Sequence, residues 1–261
     1  MGDIIGIPGV EFVKRNLWNL RKKYNIDCAV ANGENAASGN GIDAKSASLV
    51  FESGVDVITT GNHVWQKKEI YYFLDENNFI LRPANYPDMC PGAGYNIIDI
   101  TGYKILVVNL LGTVFMETYG LESPFTTADR IFAREKGNYD FAAIDIHAEA
   151  TSEKMALAKY IDGKNVKACV LFGTHTHVQT ADEQILKNGA GYITDVGMTG
   201  SADSILGIKN EAIIQKFLTK MPVKFDVCGD NIELRGIICN IETGTGNFRC
   251  TEIKRINFKE N

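Results

Sequence analysis

Residues 139–177 read YDFAAIDIHAEATSEKMALAKYIDGKNVKACVLFGTHTH. Two apolar runs, FAAIDI and VKACVLFG, flank SEKMALAKYID, whose composition favours a helix. Apolar runs of strand length on either side of a helical segment predict a β-α-β unit with buried strands. Both runs end in histidine, the first at His147 and the second at His175-Thr176-His177. The chain has four histidines, and the remaining one, His63 in GNHVW, follows another strand-like run, VDVITT.

The same grammar extends toward the start of the chain. VEFVKRNLWNLRKKYN (10–25) spaces Phe12, Leu17, Leu20 and Tyr24 near the helical period. A strand at 27–31 then runs into a polar, Gly-rich loop ending near Gly41. IDAKSASLVFESG predicts a helix stopped by Gly54, VDVITTGN a strand opening into a loop, and QKKEIYYFLDEN another helix. Such alternation predicts largely parallel strands with helices packed outside.

Further on, GYNIIDITGYKILVVNLLG reads as two strands joined at Thr101-Gly102. A loop over about 112–125 and a helix near 126–137 lead into the 139–177 unit, and a short helix is expected around 210–219. The tail reads as an antiparallel meander, with turns at Gly229-Asp230 and Gly244–Gly246. The expected architecture is one α/β domain spanning 1–261, built of two packed mixed β-sheets flanked by helices. The C-terminal antiparallel strands, about 222–258, would complete the second sheet.

Bulk properties narrow the function classes. Of 261 residues, 45% are apolar and 23% charged, with a formal charge of −5. An acidic chain without a lysine- and arginine-rich stripe is not expected to bind nucleic acid stably. The RKK cluster at 21–23 falls on a helix and reads as a solvated face. No apolar run reaches membrane-spanning length, and no signal segment is visible, so a cytoplasmic protein is expected. Six cysteines without a CxxC pair fit free thiols in a reducing compartment.

Open α/β sheets collect ligands at the carboxyl ends of their strands. Four strand ends here carry donors: Gly33-Glu34-Asn35, Gly61-Asn62-His63, His147-Ala148-Glu149 and His175-Thr176-His177. Taken singly, each would pass as an ordinary loop or a hydrogen-bonded histidine. All four histidines obey one pattern, however, and mixed imidazole, carboxylate and amide donors suit a catalytic cation site better than a closed structural zinc. In extended backbone, His175 and His177 at i and i+2 would share a side, while adjacent Asn62 and His63 would point oppositely. Glu34 could bridge two ions about 3.5–4 Å apart that activate water for in-line attack.

NGENAASGNGI, GNHVW, RPANYP, IDIHAEATSEK, GTHTHVQTAD and YITDVGMTG together resemble the YmdB-like branch of the calcineurin-like metallophosphoesterases. The resemblance runs from Gly2 to about Gly207. It implies a four-layer α-β-β-α sandwich and a bacterial phosphodiesterase acting on cyclic nucleotides, 2′,3′ or 3′,5′. It also implies two divalent or trivalent ions, with iron or manganese expected and magnesium, zinc or cobalt as alternatives. Asp3, Asn35 and His177 would hold one ion and Asn62, His147 and His175 the other, with Glu34 between them and His63 as proton donor. Arg82 and Asn85 are candidates for contact with substrate, and a homo-oligomer is compatible with the apolar tail.

Two positions depart from the family pattern. A full β-strand precedes the aspartate in the family, whereas only Met1 and Gly2 precede Asp3 here, which predicts a poorly anchored carboxylate if the sheet lacks an inner strand. Val64 stands where the superfamily often has an acid, leaving Glu149 as the candidate to orient His63. The alternatives are a phosphomonoesterase or nucleotidase using the same site, or a metal-binding regulatory protein of low turnover.

Overall fold

The computed structural model describes residues 1–116, 120–164, 166–244, 246 and 248–260. The chain opens with β1 (Asp3–Ile4), α1 (Gly6–Tyr24), β2 (Val30–Asn32), α2 (Ala44–Glu52), β3 (Val57–Thr59), α3 (Ile70–Glu76) and β4 (Ile80–Leu81). Next come β5 (Tyr95–Ile100), β6 (Tyr103–Leu111), α4 (Pro124–Arg134), β7 (Phe141–His147), α5 (Thr151–Gly163) and β8 (Ala168–Thr174). The remainder holds β9 (Gln184–Ile185), β10 (Gly191–Ile193), β11 (Met198–Ser201), α6 (Asn210–Thr219), β12 (Ile232–Glu242) and β13 (Arg249–Lys259).

One sheet has six strands in the order β5-β6-β7-β8-β10-β9. Its centre, β6-β7-β8-β10, is parallel, as the β-α-β reading predicts, and every residue of β7 is buried. The facing layer consists of two smaller sheets, β2-β3-β4 and β1-β11-β12-β13. Met1 stitches them together, its amine donating to the Val30 carbonyl and its carbonyl accepting from the Asn32 amide. The second sheet is therefore a composite of two ladders that meet at one residue.

Apolar clusters hold the layers together. Val57 and Leu81 of the composite layer pack on Ile105, Val107, Phe141 and Cys169 of the six-stranded sheet, forming the interior between the sheets. Outside one layer, Val10, Val13, Leu17, Val50 and Leu74 of α1–α3 cover Ile4, Ile58 and Leu234. Outside the other, Ala128, Ile131, Leu157 and Ile161 of α4 and α5 cover Leu106, Ile144 and Leu171. Burial drives this arrangement, because each sheet has two apolar faces and each helix only one.

The structure corrects the expected boundaries at several points. The tail is a hairpin, β12–β13, rather than a meander from residue 222, since the only pairing within 222–231 is a bridge of Val227 to Ile208. That hairpin extends the composite layer through β11. Gly197 leads into β11, every residue of which is buried. Asp3 is anchored: β1 pairs in parallel with β11, and the Asp3 amide donates to the Gly197 carbonyl at 3.2 Å. No helix among the described residues is long and apolar enough to cross a membrane, and all six cysteines are free.

Close layering leaves no room for a side chain at Gly173, next to the H-x-H turn. A Cβ there would lie 1.8 Å from the Thr194 carbonyl oxygen and 2.8 Å from Lys154 Cδ. Gly173→Ala is expected to cost about 3 kcal/mol or more by forcing β8 away from its neighbour. A urea midpoint equal to that of the parent chain would contradict this account of the packing.

Candidate metal centre

β1, β2, β3, β7 and β8 all end on the same edge of the sandwich, and the loops after them bring the expected donors together. Ligand atoms of Glu34, His147 and His175 lie within 4.8 Å of one another. Glu34 Oε1 is 3.3 Å from His147 Nε2, Asn62 Oδ1 is 3.1 Å from the same nitrogen, and His175 Nδ1 is 3.2 Å from it. On the other side, His177 Nε2 stands 3.4 Å from Asp3 Oδ2. That oxygen is buried and has no hydrogen-bond partner.

Each ring nitrogen turned away from the centre has a partner that sets the proton position. The Thr174 hydroxyl donates to Asp145 Oδ1 at 2.7 Å, so it accepts from His147 Nδ1–H at 2.8 Å. In its neutral form His147 thereby turns the Nε2 lone pair toward Glu34. Glu149 Oε2 accepts from His175 Nε2 at 3.1 Å, which frees Nδ1 to face inward. The Leu206 carbonyl accepts from His177 Nδ1 at 3.2 Å, which frees Nε2 toward Asp3. Such outer partners fix tautomer and ring orientation in metal-binding histidines.

The H-x-H segment departs from its expected geometry. β8 ends at Thr174, and His175 and His177 have φ of 98° and 64°, so the two rings diverge instead of sharing one side of a strand. A buried ion pair holds this turn. Lys154 Nζ lies 2.8 Å from Asp195 Oδ2, which also accepts from the Thr176 amide at 3.1 Å and hydroxyl at 2.8 Å. Left-handed backbone at two non-glycine residues is costly and persists only where the surroundings enforce it.

Asn62 and His63 likewise sit in a turn and not in extended backbone. The His63 amide donates to Glu34 Oε2 at 3.1 Å, and its Nδ1 lies 3.0 Å from Asn35 Oδ1 and 3.3 Å from Glu34 Oε1. Asn35 and Glu34 therefore orient His63, and Glu149 serves His175 instead. Asn35 Nδ2 also donates to Glu34 Oε1 at 3.1 Å.

The two substrate candidates are spent on structure. Arg82 is buried and donates to the carbonyls of Pro83, Tyr86 and Pro87. Asn85 is fully buried, giving its amide to the Leu111 and Glu122 carbonyls and accepting from the Leu111 amide. Both brace the loop after β4. An Arg-Pro-Ala-Asn sequence does not distinguish a substrate contact from a loop brace, because burial decides and burial is tertiary.

Electrostatics show what the cluster lacks. Burial pushes the Glu34 carboxyl up, but the His147 charge and hydrogen bonds from both His147 and His63 hold it well below the ordinary range. Burial likewise pushes the Asp3 carboxyl up, but nearby His177 and His147 together hold it below its ordinary range. Burial pulls the His147 imidazole down, yet the Glu34 charge raises it to about 9, while burial and His147 lower His175 to about 4. Two buried carboxylates are thus held down by the charge of neighbouring histidines.

The donor set fits cations on three counts. It offers inward lone pairs, buried carboxylates that need positive charge, and a partnerless Asp3 oxygen. The space is also reserved. A Cβ on Gly61 would fall 2.2 Å from His147 Nε2 and 2.3 Å from Glu34 Oε2.

Comparison with known proteins agrees with this geometry. A family model described as YmdB-like protein matches residues 1–256. The chain belongs to the YmdB-like family. It is 44% identical over 256 residues to the 2′,3′-cyclic-nucleotide 2′-phosphodiesterase of Bacillus subtilis (strain 168), covering 98% of this chain and 94% of the other. A solved structure described as a novel phosphatase of Mycoplasma pneumoniae superposes with a TM-score of 0.90 at 32% identity, covering 100% of this chain and 92% of that one. A putative 5′-nucleotidase of Staphylococcus aureus shares the fold alone, with a TM-score of 0.56 at 13% identity over 95% of this chain and 48% of that one. As a member of the YmdB-like family the chain is a phosphoester hydrolase with a metallophosphoesterase-type fold.

Two outcomes follow for metal binding. Thr174→Val removes the acceptor that sets the His147 tautomer, and cation affinity measured by titration calorimetry is expected to fall roughly 10–100-fold with the circular dichroism spectrum unchanged. Because metal-free His147 is protonated below about 9, cation uptake near neutral pH must displace that proton. Affinity should rise with pH up to that point, and binding heats should depend on the ionisation enthalpy of the buffer. Identical heats in all buffers would argue against His147 as a ligand.

Proposed function

We propose that this chain is a metal-dependent phosphodiesterase whose substrate is a cyclic nucleotide, 2′,3′ or 3′,5′, and that it works in the cytoplasm. The observation that carries the reading is the cluster of Glu34, Asn62, His147 and His175, with the Asp3–His177 pair and partly exposed His63 beside it. The Bacillus subtilis relative, named for 2′,3′-cyclic nucleotides, supports the substrate class.

In this reading Asn62, His147 and His175 would hold one cation, Asp3, Asn35 and His177 would hold the other, and Glu34 would serve both. Iron or manganese suits the mixed nitrogen and oxygen donors, and magnesium, zinc or cobalt could substitute. When bound, the ions supply Lewis-acid activation of water and of the phosphoryl oxygens. In this structure the Asn35 oxygen is on His63, so its service to a cation goes with release of that bond.

The chain's own groups position the rest. The Thr176–Asp195–Lys154 clamp keeps His175 and His177 apart, and Gly61 keeps the space between Glu34 and His147 open. Asn35 and Glu34 hold His63 by Nδ1, which leaves Nε2 as the atom that faces substrate. From its protonated form, His63 gives that Nε2 proton to the ribose oxygen as the phosphorus–oxygen bond breaks. Water supplies the new oxygen on phosphorus, so a ring-opened nucleotide results.

Relatives named as phosphatases support a second reading, in which the same centre acts on phosphomonoesters. The manganese-loaded protein would be assayed on 2′,3′-cyclic AMP, bis(p-nitrophenyl) phosphate and p-nitrophenyl phosphate. The diester reading expects higher kcat/KM on the first two, and a preference for the monoester would reverse it. His63→Ala is expected to lower kcat roughly 10²–10⁴-fold while bound metal is retained. Full activity in that variant would remove His63 from the chemistry.

A further inference from the structure

The two ladders of the composite layer stay unpaired along most of the line where they meet. Met1 and Gly2 span this seam for a single rung. The Met1 amine and carbonyl bond Val30 and Asn32 of β2, and the Gly2 amide donates to the Arg235 carbonyl of β12 at 3.1 Å. Beyond that rung, among the described residues, β2 pairs with β3 alone and β12 from Gly236 to Glu242 with β13 alone. Val30 and Arg235 turn their carbonyls into the seam, so strand alternation turns the amides of Val30, Ile237 and Cys239 the same way. Two strand edges thus face each other at the spacing that one extended chain bridges.

A cavity of about 490 Å³ lies under the seam. Val30, Ile237 and Ile241 form its rim, and Phe141, Val170 and Phe172 of the six-stranded sheet form its floor. Val170 sits on β8, an interior strand of that sheet, yet stays half-buried. Faces of parallel strands are ordinarily covered. The cavity lies at the amino ends of β2 and β7, whereas the metal centre lies at their carboxyl ends, so the two are separate.

Backbone chemistry selects the occupant. A small apolar molecule would cover the walls and leave both rows of peptide groups without partners. An extended peptide satisfies the walls and both edges at once, which is the physics of strand addition. Residues 236–241 of β12 set its length at about five residues, ~3.3 Å each. β1 runs parallel to β11, which is antiparallel to β12. A chain on the line of Met1 and Gly2 therefore runs antiparallel to β12 and parallel to β2. Tyr24 of α1 lines the cavity from outside the layer, so apolar side chains suit both faces of that chain.

We propose that the seam is a strand-binding site for an extended apolar peptide of about five residues, seated between β2 and β12. β2 leads to Glu34 and Asn35, and Gly2 to Asp3, so a seated peptide braces three residues of the candidate centre. The inference stands on the fold and is independent of the substrate reading.

Titration calorimetry of the full chain with acetyl-Lys-Val-Ile-Val-Ile-amide tests it. Saturable one-to-one binding is expected. N-methylation of the second and fourth residues removes the donors to one edge and should weaken binding roughly tenfold or more. With peptide at saturation, hydrogen exchange of the parent chain should slow on the order of tenfold at Val30, Ile237 and Cys239. Val170→Phe fills the cavity floor and should abolish binding with the circular dichroism spectrum unchanged, while the exchange readout needs no variant. Absence of saturable binding overturns the proposal. So does equal affinity for the N-methylated peptide, unchanged exchange at those three amides, or a folded Val170→Phe that binds like the parent. Binding of decanoate in the cavity without binding of the peptide also overturns it, by making this a site for small apolar molecules.

Discussion

One buried carboxylate ties the two sheets together beneath the metal centre. Asp145, fully buried on β7, accepts from Thr174 on β8, Thr59 on β3 and Asn32 on β2. Four strands from both layers thus converge on a single group. Burial raises this carboxyl to about 6 despite those donors and the His147 charge, which shows how far it lies from water. Leaving such a group without partners would cost several times what one hydrogen bond returns, so the four strands are held in one relative register. The Thr174 hydroxyl carries that register to His147, and with it the direction of the lone pair facing Glu34.

The same principle recurs around the site. Polar groups with no substrate to meet hold the groups that would meet it. Lys154 and Asp195 fix the turn carrying His175 and His177. Glu153 accepts from the amides of Thr113 and Val114 and so anchors the loop leaving β6 beside β7. Asn85 ties the loop after β4 to Leu111 at the end of β6. Buried polar networks of this kind contribute more to specifying one arrangement than to net stability, because each member is costly if left unpaired. A cation site needs that specificity, since ligands displaced by an ångström cease to share a centre.

The segment 202–230, between β11 and β12, is built on the opposite logic. It contributes almost nothing to the core and exposes apolar side chains framed by lysine. Its joint with the body falls at Leu206, whose carbonyl supports His177.

Much of this molecule was legible in the sequence, for definite reasons. Strand and helix periodicity located the parallel centre of the large sheet, because burial imposes a period on side chains wherever it acts. Histidines confined to strand ends pointed to side chains that the fold gathers at one edge, because carboxyl-end loops are where an α/β sheet collects polar groups. Tertiary structure alone decided how those donors point. His175 and His177 diverge because a buried ion pair from α5 and the loop after β10 bends their turn, and neither Lys154 nor Asp195 announces that partnership in sequence. Asp145 left a fainter trace as a carboxylate within the apolar run FAAIDI, but its meaning depends on Thr59 and Asn32 across the sheet interface. Arg82 and Asn85 took structural roles because burial closed over them. Local pattern fixes which residues leave the core, whereas hydrogen-bond partners distant in the chain fix their direction, and only folding brings those partners within reach.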